Sequence, residues 1–184
     1  MMTTFRRKIY AEMLDWKERY SSRYALLIEG ARRVGKTTIA EEFARNEFEN
    51  HLLIDFTRVG EETKQQFRDL ADDLDALFRY LQFRYSTVLK EGKSVIIFDE
   101  VQAFPIARQL IKHLVKDGRY SYIETGSLIS LKQNVEDILT PSEEMRIQMH
   151  PMDRGVPMGT GVCIHCGSPQ GVLRIAHADG QFHP

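Results

Sequence analysis

Residues 30–37 read Gly30-Ala31-Arg32-Arg33-Val34-Gly35-Lys36-Thr37, which is GxxxxGK[ST] without a mismatch. Each element of that pattern has a physical task. The glycines let the backbone take positive φ and come close to an anion. Successive amides from Ala31 to Thr38 form a nest for the β-phosphate, and the helix that follows points its positive end at the same place. Lys36 puts a compact cation on the β and γ oxygens, and Thr37 offers a hydroxyl to Mg2+. At average residue usage the pattern arises by chance in roughly 1% of chains of this length. The competing reading is a glycine turn with an exposed lysine. Context weakens it, because an apolar strand leads into the loop and a good helix leaves it.

The second chemical feature is Val95-Ile96-Ile97-Phe98-Asp99-Glu100, an apolar strand ending in two carboxylates. In α/β sheets the ligand lies beyond the carboxyl ends of the strands. Asp99 and Thr37 are therefore expected at one Mg2+, Asp99 through water, with Glu100 orienting and deprotonating the attacking water. An acidic strand end can also simply cap the next turn. Following the phosphate loop by about 60 residues, it reads as part of the same site. In Tyr122-Ile123-Glu124-Thr125-Gly126-Ser127, either Thr125 or Ser127 could contact the γ-phosphate, and either could equally cap a helix. Arg32, Arg33, Arg108 and Arg119 could neutralise developing phosphate charge, although a solvated surface position is the commoner fate of each. Asp55 closes another strand and either supports the site or merely ends that strand.

These residues need a scaffold, and apolar runs of strand length alternate here with helical periods. The spacing predicts an opening helix over about Phe5–Tyr20, with Ile9, Met13 and Trp16 on one face. It predicts strands Tyr24–Glu29, His51–Phe56, Ser94–Asp99 and Tyr120–Thr125. A helix runs from about Lys36 to Arg45. A long helix over Asp72–Lys90 carries Leu74, Leu77, Phe78, Leu81, Tyr85 and Val88 at core spacing. A further helix near Ile106–Lys116 carries Leu110, Ile111, Leu114 and Val115. A short helix near Val135–Leu139 and a strand near Arg146–Met149 complete the set. Strands alternating with helices imply a parallel sheet covered on both faces.

The chain has 184 residues, 42% apolar and 28% charged, enough for one domain with a real core. Twenty-five basic side chains face 26 acidic ones, a net charge of −1. A protein that grips nucleic acid with its whole surface would be far more basic, so the charge does not point to such a partner. The longest apolar runs, Ala25–Ile28 and Val95–Phe98, fall well short of the ~20 residues that span a bilayer. Arg6-Arg7-Lys8 is followed by Glu12, Asp15 and Lys17 rather than by a signal-peptide core. Two cysteines do not make a disulfide framework. The expectation is a soluble, cytoplasmic protein.

The composition breaks near Asp153. Residues 154–184 hold six of the twelve glycines, three of the six prolines, both cysteines and three of the six histidines. The expected organisation is a nucleotide-binding domain over 1–153 and an irregular Gly/Pro-rich tail over 154–184, too short for its own core. Cys163, Cys166, His177 and His183 read C-x2-C-x10-H-x5-H, with His165 as a further donor, and four such ligands suit tetrahedral zinc. The central spacing of ten is shorter than in the usual finger, and the finger's aromatic and leucine are not in place. A tail with reduced thiols is the preferred reading over a zinc site.

Taken together, Gly30–Thr37, Val95–Glu100 and Tyr122–Ser127 resemble the AAA-type ATPase domain of a large prokaryotic family of ATP-binding proteins. Leu26–Thr38 (LLIEGARRVGKTT), Ser94–Gln102 (SVIIFDEVQ), Tyr122–Ser130 (YIETGSLIS) and Pro141–Asp153 (PSEEMRIQMHPMD) are especially similar. The likeness covers residues 5–153. It implies a three-layer α/β P-loop NTPase fold with a mostly parallel sheet of the additional-strand type, the Tyr122 strand lying between the Gly30 and Asp99 strands. It implies Gly30, Gly35, Lys36 and Thr37 for phosphate and Mg2+, Asp99 for Mg2+, Glu100 for the water, and Thr125 or Ser127 at the sensor position. Members of that family continue after the Pro-Met-Asp segment into an aromatic, acidic helix and a large, often nuclease-like domain. Here Arg154 begins a different text, without the helical lid or an arginine-finger module. That reads as a truncated or frameshifted end, which should spare nucleotide binding more than fast turnover.

The leading expectation is a Mg-dependent ATPase acting on ATP, with a homo-oligomer left open. The alternatives are a non-hydrolysing nucleotide-dependent interaction module and a P-loop small-molecule kinase, although no arginine-rich lid of the kinase kind is visible. No N/TKxD-like guanine signature occurs, so ATP is preferred to GTP.

Overall fold

In a computed structural model, the described residues are 8–127 and 142–151. All of them lie in the compact unit Met1–Met152. The chain runs through α1 (Lys8–Arg19), β1 (Ala25–Gly30), α2 (Lys36–Glu47), β2 (Asn50–Asp55), α3 (Glu61–Asp69) and α4 (Leu74–Arg84). It continues through β3 (Ser94–Asp99), a single 3-10 turn (Val101–Ala103), α5 (Pro105–Asp117), β4 (Ser121–Ser127) and β5 (Glu144–Met149).

Among the described residues five strands form one sheet in the order β2-β3-β4-β1-β5, and every pairing is parallel. β4 lies between β1 and β3, the additional-strand arrangement. β1 and β3 are buried along their whole length, as expected of central strands with helices on both faces. Alternate residues feed two cores. Leu26, Ile28, Val95, Ile97, Ile123 and Ile147 pack with Met13 and Trp16 of α1 and with Ile39, Ala40 and Phe43 of α2. Leu27, Ile54, Ile96, Phe98 and Tyr122 pack with Phe67 of α3, with Leu77, Phe78 and Leu81 of α4, and with Leu110, Ile111 and Leu114 of α5.

Ile9, Met13 and Trp16 are buried as the helical spacing predicts, and the Trp16 indole donates to the Tyr24 carbonyl at 2.8 Å. One helical reading needs correction. The long helix expected over Asp72–Lys90 ends at Arg84, and a separate helix, α3, precedes it. The Asp73 carboxylate caps the Ala76 amide at 2.9 Å and so fixes the start of α4. At the other end Ser86 takes a left-handed φ of 48°, and the Gln82 side chain accepts from the Leu89 amide at 2.8 Å. Val88 is therefore 66% exposed rather than in the core. α3 buries only Thr63 and Phe67, too sparse an apolar stripe to announce a helix.

The core on the α5 side contains a polar patch. Arg108 of α5 holds Glu144 of β5 through two bonds of 2.8 Å, and Arg146 approaches Glu144 at 3.5 Å. Glu124 of β4 is fully buried beside them. Burial first, then the neighbouring Glu144, push its carboxyl well above the usual carboxylate range. The expected Val135–Leu139 helix and the whole tail, with Cys163, His165, Cys166, His177 and His183, lie outside the described residues.

Candidate functional site

The loop between β1 and α2 carries the phosphate-binding pattern, and two of its residues are left-handed: Arg33 at φ 66° and Gly35 at φ 91°. Gly35 is the N-cap of α2 and makes no side-chain cap bond. The first amides of α2 thus lack a side-chain acceptor there and suit an anion. Gly30 has a different reason to be glycine from the positive φ expected of it. It pairs in register with Met149 of β5, and a Cβ there would collide with the Met149 carbonyl oxygen. Ala31, Arg32, Arg33 and Thr38 are exposed, and Val34 is half-buried. Lys36 is only 4% exposed. Its ammonium donates to the carbonyls of Ala31 at 3.0 Å and Gly30 at 3.4 Å, so the cation is folded back into its own loop.

The acid couple meets this loop. The Thr37 hydroxyl donates to Asp99 Oδ1 at 2.7 Å. The Thr125 hydroxyl donates to the same oxygen at 2.6 Å and accepts from the Glu100 amide at 3.1 Å. The start of α2, the end of β3 and β4 are thereby joined by three hydrogen bonds. Burial raises the Asp99 carboxyl above its ordinary pKa; the bonds from Thr125 and Thr37 oppose that, and Glu100 and Asp55 add to it. Asp55 stands opposite Asp99 in the β2–β3 register, accepts from the Thr57 amide at 2.9 Å and pairs with Arg58 at 3.3 Å. Glu100 is left-handed, at φ 53° and ψ 51°, and its carboxylate accepts from the Gln102 side-chain amide.

Ser127 is buried at the end of β4, in register with Gly30. The two later arginines stand away from the loop. Glu144, which holds Arg108, pairs with Ala25, and Gly30 pairs with Met149; five residues of strand separate the two levels by about 16 Å. Arg108 is also 6% exposed, not the solvated side chain expected. Arg119 precedes β4 and bonds Asp117 and Asp75. Reading the sequence missed Gln102, because nothing in its local spacing marks it. It also missed the left-handed Glu100, for which an acid just past a strand end was the only signal.

Thr37 Oγ1 and the Asp99 carboxylate are hard oxygen donors from two separate elements, the set Mg2+ prefers when phosphate and water complete its shell. A buried carboxylate with a raised pKa and acidic neighbours is also short of positive charge, which a divalent ion would supply. The residues fit that ion. Among the described residues no group of three or more His, Cys, Asp or Glu side chains forms a metal cluster.

The model of the AAA domain family matches residues 22–155. No curated protein matches the chain. Among solved structures, the flagellar accessory protein FlaH from Methanocaldococcus jannaschii is similar over 68% of this chain and 70% of its own, with 17% identity and a TM-score of 0.39. AMPPCP-bound DnaA from Aquifex aeolicus is similar over 77% of this chain, with 11% identity and a TM-score of 0.43. The match spans 45% of that DnaA chain. Together with the parallel sheet, the phosphate loop and the acid couple beside it, the family match over most of its length means that this chain belongs to the AAA family of P-loop ATPase domains.

Proposed function

We propose that this domain binds Mg-ATP and hydrolyses it to ADP and phosphate. The observation that carries the reading is the bonded run Thr37–Asp99–Thr125–Glu100. It joins the phosphate loop to a carboxylate pair on a neighbouring strand.

The loop amides from Ala31 to Thr38 would hold the β-phosphate, and Lys36 would exchange the Gly30 and Ala31 carbonyls for β and γ oxygens. Thr37 and Asp99 would hold Mg2+, Asp99 through water; the ion, when bound, supplies positive charge to the phosphate oxygens. Glu100 would orient a water in line with the γ-phosphorus and take its proton. The water oxygen bonds to that phosphorus as the bond to the β-bridging oxygen breaks, and ADP leaves with the electron pair. Ser127 or Thr125 would donate to the γ-phosphate. Arg32 and Arg33 are exposed within the loop and could serve a neighbouring subunit in a homo-oligomer. ATP is preferred to GTP because no guanine-reading motif occurs in the sequence. No described helix is long and apolar enough to cross a membrane. We place the working domain at residues 1–153, with 154–184 as a tail whose four zinc-type ligands are not part of this chemistry.

The test is Glu100→Gln measured for both phosphate release and Mg-ATP binding. Turnover should fall by about 100-fold or more, the worth of a general base, while binding is kept. Binding with no turnover in the wild type would favour the non-hydrolysing module. Phosphate appearing on an added small-molecule acceptor would favour the kinase.

A further inference from the structure

We infer that Thr125 is a positioning residue, the joint that sets Asp99 and Glu100 relative to each other, and that it acts through them rather than on the nucleotide. This rests on the ATPase reading and divides the labour between the two β4 hydroxyls.

Thr125 is fully buried. A hydroxyl has one proton to give and two lone pairs to offer. The proton goes to Asp99 Oδ1 at 2.6 Å, and a lone pair takes the Glu100 amide at 3.1 Å. A γ-phosphate contact would therefore have to break the bond that holds the metal-binding carboxylate. The sheet register gives an independent reason. Thr125 pairs with Ile28, whereas Ser127 pairs with Gly30 at the mouth of the loop. Two residues along a strand set Thr125 about 7 Å deeper than Ser127. Ser127 is the β4 hydroxyl level with the loop, and Thr125 lies beneath it.

Glu100 needs such a joint. Its left-handed backbone, at φ 53° and ψ 51°, is unfavourable for a residue with a side chain and persists only where its surroundings hold it. Thr125 holds the Glu100 amide, and the Ala103 amide holds its carbonyl at 2.9 Å. The Gln102 side chain holds its carboxylate. Thr125 holds Asp99 as well. One hydroxyl thus fixes both the carboxylate that would serve the cation and the backbone that aims the carboxylate serving the water.

The test uses the full chain as wild type, Thr125→Val and Thr125→Ser, with Thr125→Ala in reserve should the valine variant not fold. In the nucleotide-free protein, the Glu100 amide should exchange hydrogen about tenfold faster in Thr125→Val, the factor carried by one net hydrogen bond. Thr125→Ser should restore protection. In EDTA, ATP and ADP affinities of Thr125→Val should stay at wild-type values. The Mg2+ needed for half-maximal ATP binding should rise about 10- to 100-fold, as when a partner that orients a metal ligand is removed, and kcat should fall with little change in KM. Glu100 exchange unchanged in the valine variant would overturn the inference. So would loss of ATP affinity in EDTA with ADP affinity kept, the mark of a direct γ-phosphate contact. Failure of the ATPase reading looks different: the wild type itself would bind no nucleotide, or bind it no better than Lys36→Ala, while the exchange measurement would still decide the role of Thr125.

Discussion

Thr37 and Asp99 are 62 residues apart in the chain and 2.7 Å apart in space, hydroxyl to carboxylate. The contact spans two structural elements, since Thr37 belongs to the first turn of α2 and Asp99 is the last residue of β3. The Thr125 hydroxyl donates to the same Asp99 oxygen, so the contact is braced from β4 as well.

Lys36 tests the loop. Its ammonium is bound to the Gly30 and Ala31 carbonyls, the place it would leave for a phosphate. At a ligand concentration of 100 times Kd, Mg-ATP should stabilise the wild type by about 2.7 kcal/mol. Lys36→Ala should show little or none of that shift in a thermal melt. Equal shifts in the two proteins would remove the loop from the account.

Asp99→Asn separates binding from folding. Because burial raises the Asp99 pKa, the folded state binds more protons there than the unfolded chain at pH values between the unfolded and the folded pKa. This contribution to stability is full below the unfolded value of about 3.9 and declines as pH rises through the raised folded value. Asparagine can still accept from Thr37 and Thr125 without that pH dependence. The apo variant should therefore be at least as stable as wild type at pH 7, with a flatter profile, and its nucleotide affinity should no longer respond to Mg2+. Urea melts at several pH values and a Mg2+ titration check the two halves.

The buried Arg108–Glu144 pair tests the polar patch. Arg108→Ala would leave Glu144 buried next to Glu124 and should cost about 3–5 kcal/mol in urea unfolding. Replacing the pair together, Arg108→Met with Glu144→Leu, should cost far less, because no charge is stranded. Glu124→Gln alone should gain stability relative to wild type as pH rises above about 4.3, since it removes a carboxyl whose folded pKa is raised.

Gly30→Ala tests why the first glycine of the loop is there. The added methyl meets the Met149 backbone oxygen, which no side-chain rotation can relieve. Overpacking of this kind costs about 1–3 kcal/mol, or several degrees in the melting temperature. The loss should appear in the absence of any nucleotide. A variant as stable as wild type without ligand, yet unable to bind, would return Gly30 to a role in phosphate approach alone.

What was legible in the sequence was local. The loop is eight consecutive residues, and the β3 run of Val95–Phe98 is uniformly apolar because both its faces are covered. The order of the strands came from resemblance, since periodicity carries no pairing information. α3 escaped because it buries only Thr63 and Phe67; the start of α4 was readable from the capping carboxylate of Asp73, but its end was overrun because the helical period from Leu74 continues to Val88, past Arg84. Arg108 looked like surface because its partner, Glu144, is 36 residues away. Glu124 follows the apolar pair Tyr122-Ile123 in β4, but the company that buries it is three-dimensional. The positive φ assigned to Gly30 belongs to Arg33 and Gly35 instead, because local composition shows which residues tolerate a turn and not which neighbours crowd them.

The pairing of β5 with β1 sets an order of events during synthesis. A ribosome that has not yet reached Glu144 has already made every residue of the phosphate loop and both carboxylates. The nascent sheet at that stage still has Ala25–Gly30 as a bare rim, open to any passing strand. β5, the last of the described strands to be translated, seals that rim and fences the first glycine of the loop, so a premature stop just upstream of Glu144 would yield a sticky, unfinished sheet rather than a smaller intact domain.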